Sequence, residues 1–404
     1  MKLEIKTDSY FDGYHYHREG PYQITVDQGN IIGVSSQPNK QCHESVHLSA
    51  KFLMPAFTEA HCHLFLDGDE LNQEKRSAYL KRTDIFEMTQ MALKNVDRYR
   101  DSGVTLIRDA GDIFGVNTKV KKIIEESEEF NLVIRKPGKA IRKKNKYGSF
   151  MALEVDEKNS IEDIIDVIAP HADDLKVILT GIIDFEAGVV KGNPQFTIEE
   201  TRRIVQSAHR YGLLSFAHCS GLEGLELAVM CGINSIEHGF FMTEEILLKM
   251  AQKNMAWVPT FCPVYFQWEN PSFANWSLKA IDGLNKILEN HRQMIKLAYE
   301  LNVNVALGTD AGSYGVPHGH SIFKEILCML ESGARLENIL SSATVTPRKL
   351  WGEPDNTILV GNCANFITLR NDPFQDIQAI KEVSGVYYND NIYIPKLNLE
   401  GAKL

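Results

Sequence analysis

Six side chains able to bind metal ions lie in or after short apolar runs that are typical of buried β-strands. In chain order they are His61, His63, Lys176, His218, His238 and Asp310. The runs cover 52–54, 175–179, 213–216, 233–236 and 303–307; Lys176 lies inside its run, and the other ligands follow theirs. In a closed barrel of parallel strands, catalytic groups gather where the carboxyl ends of the strands meet. The spacing therefore predicts a hydrolytic metal centre at that rim.

The His61/His63 pair has stronger support than its short motif alone provides. With 13 histidines in 404 residues, chance gives about 0.4 His-x-His pairs, so the motif needs structural context. This pair follows a buried-type strand, in which alternate side chains lie on the same face. A second pair, His15/His17, lies in the N-terminal strand region, and we interpret it as surface strand residues.

Lys176 lies inside an apolar run, where an unpaired ammonium group would be costly. One interpretation directs it outward, with its stem between helices and its charge in water. The other directs it inward, where a neutral amine reacts with carbon dioxide to give an anionic carbamate able to bridge two divalent cations. The strand alone leaves both interpretations open.

Strand-like and helix-like segments alternate through the middle of the chain. Predicted helices at 77–102, 117–129, 160–171, 197–211, 222–231, 243–253 and 278–301 each precede a predicted strand. Thr197 with Glu200 has the pattern of a capping box, and Ser160 with Asp163 is similar. Together with a strand at 52–57 this gives eight strands and favours an α/β fold, a closed (β/α)8 TIM-type barrel. A doubly wound open sheet is the structural alternative.

Both ends of the chain read as short strands. The β-branched runs 22–26 and 31–34 flank the turn 27–30, which is a hairpin signal, and 364–369 and 385–388 repeat this character. Neither end has enough strands to cover a core alone. We therefore predict a composite β-sandwich domain from 1–54 plus 353–404, beside a barrel domain at 55–352.

Composition excludes several classes of protein. The net charge of −10 argues against broad binding to nucleic acid or to an anionic membrane, and no apolar run reaches the length needed to span a bilayer. The first residues lack the apolar region of a secretory leader. Seven scattered cysteines read as free thiols. The expected location is the cytoplasm.

At this point the sequence resembles the amidohydrolase superfamily, in its imidazolonepropionase-like and prolidase-like branch. The resemblance covers nearly the whole chain and rests on segments in the family's order: MPAFTEAHCH at 54–63, GVTLIRDAG at 103–111, DLK at 174–176, FAH at 216–218, SIEHG at 235–239, VPT at 258–260 and GTDAG at 308–312. It implies a (β/α)8 barrel, a β-sandwich built from both termini, and two divalent metal ions, usually zinc.

The resemblance also implies a role for each ligand. His61, His63 and Asp310 would hold one ion, His218 and His238 the other, and carboxylated Lys176 would bridge them. Nitrogen and oxygen ligands suit zinc, with manganese or iron as alternatives. A hydroxide between the metals would attack the substrate, and Asp310 would act as general base and then as general acid.

The chain departs from the family in the loops that line the pocket. After the third strand it has a basic segment, 135–146, where the family often has a histidine-rich loop. We predict that Arg142 grips a substrate carboxylate there, with Tyr147 as a second contact, although a solvated loop is the plainer interpretation. His318 is predicted either to contact the substrate or to be structural.

The sequence therefore predicts a metal-dependent hydrolase of a carbon–nitrogen bond in a small, carboxylate-bearing substrate. One alternative is a cyclic amidohydrolase or deaminase of the imidazolonepropionase type. Another is a non-catalytic metal-binding barrel. The aromatic segment 265–276 reads as a lid with an apolar wall, or equally as internal packing or a subunit contact of a homo-oligomer.

Overall fold

Strands make up both ends of the chain, and strands alternate with helices between them. The computed structural model describes residues 2–37, 45–81, 84–127 and 132–396. Within them the strands are β1 (Leu3–Phe11), β2 (Tyr16–His17), β3 (Tyr22–Asp27), β4 (Asn30–Ser35), β5 (Val46–Pro55), β6 (Phe57–Cys62), β7 (Val104–Asp109), β8 (Val133–Arg135), β9 (Ala140–Lys143), β10 (Ala152–Val155), β11 (Asp174–Ile178), β12 (Ile183–Asp184), β13 (Val189–Val190), β14 (Leu214–Cys219), β15 (Ser235–His238), β16 (Ala256–Val258), β17 (Asn304–Val305), β18 (Phe366–Leu369), β19 (Val383–Tyr388) and β20 (Asn391–Tyr393). The helices are α1 (Gln73–Lys81), α2 (Ile85–Asp101), α3 (Val116–Glu125), α4 (Ile161–Ile168), α5 (Ile198–Arg210), α6 (Leu222–Cys231), α7 (Glu244–Gln252), α8 (Cys262–Glu269), α9 (Leu278–Glu300), α10 (Ser321–Leu330), α11 (Leu336–Ser342) and α12 (Val345–Trp351).

Strands from the two ends of the chain share one sheet. Its strand order is β20-β19-β18-β5-β1-β3-β4, with β2 also paired to β1. In β5, Leu53 is opposite Tyr10 of β1 on one side and Thr368 of β18 on the other. Because β5 joins both sets of strands, the predicted β-sandwich takes the form of one continuous eight-stranded sheet within the described residues.

The hairpin between β3 and β4 follows from its turn residues. Asp27 pairs with Asn30, and the two residues between them, Gln28 and Gly29, have φ values of 47° and 73°. Two positive φ angles give the turn type whose twist matches a two-residue hairpin loop. Apolar side chains from this sheet form a core cluster of their own, which includes Leu3, Ile5, Ile24, Val26, Leu53, Phe366 and Tyr387.

The middle of the chain forms two parallel sheets that are linked by hydrogen bonds. Their orders are β6-β7-β8 and β10-β9-β11-β14-β15-β16-β17. The amide of Ala60 in β6 donates to the carbonyl of Leu307, beyond β17, at 2.9 Å. The amide of Asp173, just before β11, donates to the carbonyl of Lys136, just after β8, at 2.8 Å. The predicted α/β fold with parallel strands is confirmed, and each edge of the smaller sheet continues into the larger one.

Local sequence signals place several helices correctly. Thr197 and Glu200 form the predicted capping box of α5, and Ser160 with Asp163 caps α4 in the same way. The single helix predicted at 77–102 is wrong, because α1 ends at Lys81 and a new helix begins after Asp84. The Asp84 carboxylate accepts from the amides of the first turn of α2 and so starts that helix.

The first strand of the parallel region also differs from the prediction of one strand at 52–57. β5 ends at Pro55, which has no amide hydrogen to continue a ladder. The strand that carries His61 begins at Phe57 and pairs with β7. The chain therefore passes from the terminal sheet to the parallel sheets between Pro55 and Phe57. No helix in the described parts of the chain is both long and apolar enough to cross a membrane.

Candidate metal centre

The six predicted ligands lie near the carboxyl ends of parallel strands or within them. His61 lies on β6, with His63 just beyond it, and His218 and His238 lie near the ends of β14 and β15. Lys176 is the third residue of β11, and Asp310 follows β17. The amide of Asp310 donates to the carbonyl of His61 at 2.7 Å, so the last strand segment is bonded to the first.

Three of these side chains converge closely. Nε2 of His61 and Nε2 of His63 lie 3.8 Å and 3.6 Å from Oδ1 of Asp310. One ligand atom from each residue lies within 4.8 Å of the other two, a spacing that suits a shared cation. His61 and His63 are almost fully buried, and the Asp310 side chain is 13% exposed.

The other two histidines extend this group. The rings of His218 and His238 are 4.6 Å apart, and the ring of His238 is 5.0 Å from that of His61. The hydroxyl of Thr260 lies 2.8 Å from Nδ1 of His238, which fixes the ring and leaves its Nε2 free to bind. Four imidazoles and one carboxylate therefore face one small region.

Lys176 points into the same region. Its side chain is 1% exposed, and its Nζ has no hydrogen-bond partner among the described residues. The ammonium lies 4.7 Å from the ring centre of Phe216. Burial lowers the pKa of Lys176 to about 8, which brings the neutral amine within reach near neutral pH. The position of Lys176 thus agrees with the inward interpretation. Conversion to a carbamate would replace the unpaired buried amine with a group that can bind metal ions.

Burial also controls the protonation of the other candidate ligands. It lowers the pKa of both His63 and His218 to about 3, with the Lys176 charge as the next cause. The pKa values of His61 and His238 are lowered well below the usual range for the same main reason. Neutral imidazole is the form that binds a metal ion. Burial raises the pKa of Asp310 to about 7, so this carboxyl group can exchange a proton near neutral pH.

Two buried glutamates behind the ligands were not singled out from the sequence. Glu237 accepts a hydrogen bond from Nδ1 of His61 at 2.5 Å and one from Arg108 at 2.9 Å. Glu59 accepts from the amides of His61 and Thr309, both at 2.9 Å, and so joins the first and last strand segments. Such partners orient metal-binding side chains. Both glutamates lie in the family-like segments 54–63 and 235–239, but only the fold shows what they contact.

The backbone is strained at three neighbouring positions of this rim. His238, Thr260 and Asp310 have φ values of 67°, 50° and 55°. Residues other than glycine rarely adopt this conformation, and a β-branched residue such as Thr260 is unfavourable there. Strain of this kind persists where the surrounding structure holds it, often at functional sites.

A cavity of about 480 Å³ opens over these residues. Its lining includes His61, His63, Lys176, His218, His238 and Asp310. The rest of the lining is largely apolar or aromatic and includes Leu66, Tyr79, Leu80, Met91, Phe150, Met151 and Tyr314. The structure therefore brings all six predicted ligands to one cavity of the size that binds a small molecule.

The predicted substrate contacts divide into one that lines the cavity and two that do not. Tyr147 lies on the wall, with its ring 5.2 Å from that of His218. The guanidinium of Arg142 is off the wall, where it donates to the Glu154 carboxylate and to the carbonyl of Lys146. His318 lies behind His63, whose carbonyl is 3.1 Å from its Nε2. These contacts correct the placement of Arg142 and favour the structural interpretation of His318.

One wall of the cavity, formed by α1 and the segment before it, is not predicted from the sequence. Arg76, Tyr79 and Leu80 lie on this helix and line the cavity, together with Asp67 and Glu70. The helix has no buried residue, so its pattern does not mark it as part of a site. A single signal was present, an arginine 13 positions after His63 in an acidic stretch.

Comparison with known proteins decides the family. The sequence profile of the amidohydrolase family matches residues 52–393. The chain belongs to this family. As an amidohydrolase it is a hydrolase that acts on carbon–nitrogen bonds, and the recognition made from the sequence motifs is confirmed.

The sequence relatives of this amidohydrolase are distant, and solved structures of similar fold are equally distant in sequence. An uncharacterized protein of Mycobacterium bovis is 24% identical over 307 residues, which cover 75% of each chain. The ochratoxinase of Aspergillus niger is 26% identical over 198 residues, or 48% of this chain and 40% of that enzyme. A crystal structure of a Xaa-Pro dipeptidase with bound methionine has a TM-score of 0.80 at 23% identity and covers 98% of this chain and 100% of the other. The crystal structure of the A. niger ochratoxinase has a TM-score of 0.79 at 19% identity, with 98% and 96% covered.

Proposed function

We propose that this amidohydrolase is metal-dependent and cleaves an amide bond in a small substrate that carries a carboxylate. The observation that carries the proposal is the convergence of His61, His63 and Asp310 within 4.8 Å in the lining of the cavity. His218, His238 and an unpaired Lys176 line the same cavity. A set of this kind is costly to bury unless a ligand completes it.

Two divalent cations, most simply zinc, fit the donor atoms. His61, His63 and Asp310 would hold one ion, and His218 and His238 the other. Carboxylated Lys176 would bridge them: its neutral amine adds to carbon dioxide, a C–N bond forms, and one proton is released to solvent. When bound, such ions lower the pKa of water and polarise a carbonyl group. The unpaired, buried Nζ of Lys176 is the feature that favours the carbamate.

The chain's own residues supply orientation and proton transfer. Asp310, with its pKa raised to about 7, is suited to take a proton from the attacking water and to return it to the departing amine. Glu237 holds His61 through its Nδ1, and Thr260 holds His238 in the same way. These contacts keep the remaining ring nitrogens directed at the cavity.

The architecture in which this occurs is, in our proposal, a closed (β/α)8 barrel at 55–352 with an added domain from 1–54 and 353–404. Support comes from the backbone hydrogen bonds that join the two parallel sheets at both edges of the smaller one. The described cysteines are Cys62, Cys219, Cys231, Cys262, Cys328 and Cys363, and none forms a disulfide. Free thiols agree with the proposed cytoplasmic location. A homo-oligomeric state stays a prediction.

The names of the relatives suggest where to look for the substrate. One structural neighbour is called a Xaa-Pro dipeptidase and another an ochratoxinase. We therefore propose a dipeptide or an N-acyl amino acid as substrate. The largely apolar wall of the cavity supports a substrate with a bulky apolar group.

The test is a metal count combined with a substrate panel. Protein prepared with bicarbonate and zinc is analysed for metal per chain, and turnover is measured on dipeptides, N-acyl amino acids and lactams. We expect about two ions per chain and hydrolysis of open-chain amides. One ion with turnover confined to lactams or ring C=N substrates would favour the cyclic amidohydrolase alternative. Bound metal without turnover on any substrate would favour a non-catalytic barrel.

A further inference from the structure

The wall of the cavity contains an arginine that forms no hydrogen bond with a carboxylate among the described residues. Lys176 is assigned to the metal centre, and Lys75 pairs with Glu70 at 3.5 Å on the exposed side. The third cation of the lining is Arg76, which is half-buried on α1. Asp67 and Glu70 are near enough to act on its charge, but its hydrogen bonds in the described chain go to backbone groups.

The hydrogen bonds of Arg76 go to backbone carbonyl groups. Its Nη1 donates to the carbonyls of Asp67 at 2.5 Å and Glu70 at 3.4 Å, and its Nη2 donates to that of Gly312 at 2.9 Å. A guanidinium has five N–H donors. The Nε–H group and one hydrogen of Nη2 therefore have no partner in the described part of the chain.

The free edge of Arg76 is the one that other arginines of this protein use for carboxylates. Arg203 donates through Nε and Nη2 to Glu162, and Arg292 donates through the same two atoms to Glu331. This two-donor arrangement gives short, directional bonds to a carboxylate. Arg76 presents the same atoms without the acid.

The position of Arg76 places this free edge beside the loop that follows Asp310. Gly312, which accepts from Nη2, lies two residues after Asp310 and is bonded through its amide to Val316 in a tight loop. The ring of Tyr314, in the same loop, is 5.9 Å from the guanidinium carbon. Arg76 is thus held against the loop that carries the proposed proton-transfer group.

The two nearby acids do not occupy the guanidinium. An oxygen of Asp67 accepts the amide of Asp69 at 3.0 Å. Glu70 accepts the amide of Asn72 at 2.8 Å and faces Lys75. Neither carboxylate accepts a hydrogen bond from Arg76 among the described contacts, so the free edge of its guanidinium remains available to a ligand.

We propose that Arg76 binds the carboxylate of the substrate, in place of Arg142. The apolar part of the substrate then lies along the wall that includes Met91, Phe150 and Met151. The substrate class is an amide with a free carboxylate on one side and a bulky apolar or aromatic group on the other. This inference rests on the proposed function and names the residue that selects for the acid.

The experiment compares an acid with its neutral counterpart. N-benzoyl-L-phenylalanine and its carboxamide are each given to the zinc-loaded enzyme, and release of benzoate is measured. For Arg76→Met we expect the ratio of acid to carboxamide kcat/KM to fall about 10- to 100-fold, mostly through KM. Arg76→Lys keeps the charge but loses the fork, so its ratio should be intermediate. Arg203→Met, at an exposed arginine of α5, is the matched control and should keep the parent ratio.

Binding of the acid, measured by calorimetry, separates this proposal from the proposed function. Weaker binding to Arg76→Met than to the parent supports the assignment even if the parent turns nothing over. An equal loss of kcat/KM on the acid and on the carboxamide would mean that Arg76 only holds α1 in place, and would overturn the proposal. So would an unchanged affinity in Arg76→Met, or a selective loss of the acid in Arg142→Met instead.

Discussion

The amino and carboxyl ends of the parallel strands differ in whether buried charged groups are paired, and β11 has an example of each kind. Asp174, its first residue, is fully buried and accepts two hydrogen bonds from Arg135, at 3.1 Å and 3.0 Å. Arg135 also donates to Glu353 at 2.6 Å. Lys176 lies two residues further on, is 1% exposed and has no hydrogen-bond partner in the described chain.

This difference separates a charged cluster that stabilises the fold from a charged side chain that is available for function. Asp174 and Glu353 outweigh the effect of burial on Arg135 and raise its pKa. Burial still raises the pKa of Asp174, but the two side chains are hydrogen-bonded to each other within the protein. Burial is not outweighed at Lys176, and its pKa is lowered. Buried charges are normally paired, and the exceptions occur mainly at functional sites. We therefore expect substitutions at the two ends to affect different measurements.

The largest expected effect is at Asp310. Asp310→Asn keeps the size of the side chain but removes its basic oxygen, so kcat should fall by about 10³-fold or more. Turnover by the purified variant is compared with its thermal unfolding midpoint, which should stay near that of the parent. A variant with near-normal turnover would remove Asp310 from proton transfer.

Lys176→Met should give the next largest effect. Loss of the proposed bridging group should reduce turnover about 10²-fold and lower the metal content per chain, because each ion would lose a ligand. Stability of the metal-free protein should hold or rise, since an unpaired buried cation is removed. Full metal content with normal turnover would show that Lys176 is not a ligand.

Asp174→Asn is the matched change at the amino end of the same strand. It leaves Arg135 with a neutral neighbour, and the free energy of unfolding should fall by about 3 kcal/mol. Chemical denaturation measures this loss, while metal content and turnover of the folded protein stay at parent values. If turnover fell and stability did not, the contrast between the two ends would be wrong.

His291 tests whether burial alone keeps an imidazole neutral outside the ligand set. It is fully buried, with Nε2 2.9 Å from the carbonyl of Pro259, and burial lowers its pKa to about 3. The unfolded chain therefore binds a proton first, at a pKa of about 6.5. The contribution of His291 to stability is complete above that pH and is lost as the pH falls toward about 3.

His291→Gln places an amide nitrogen near Nε2 and has no titrating ring. The loss of unfolding free energy between pH 7 and pH 5 should be about 2 kcal/mol smaller in this variant than in the parent. Denaturation curves at both pH values measure it. His209→Gln, at an exposed histidine of α5, should keep the parent profile, and the same profile in both variants would contradict the burial argument.

The sequence by itself determined those features that depend on a few neighbouring residues. The turn at Gln28 and Gly29 and the capping boxes at Ser160 and Thr197 all form as predicted. The order of the candidate ligands along the strands was also readable, because side-chain alternation along a strand is local and parallel strands end at a common edge. The family and the parallel α/β fold follow from the same signals.

The tertiary structure alone decided which loops form the cavity wall. Arg142 has the chemistry of a carboxylate receptor, but Glu154, 12 residues away, already occupies it. Arg76 gave little local signal, and its bond to Gly312 spans 236 residues. Contacts of this separation depend on how distant segments pack, and no short pattern encodes them. The same reason explains why Glu59 and Glu237 become visible as supports of His61 only once the strands lie side by side.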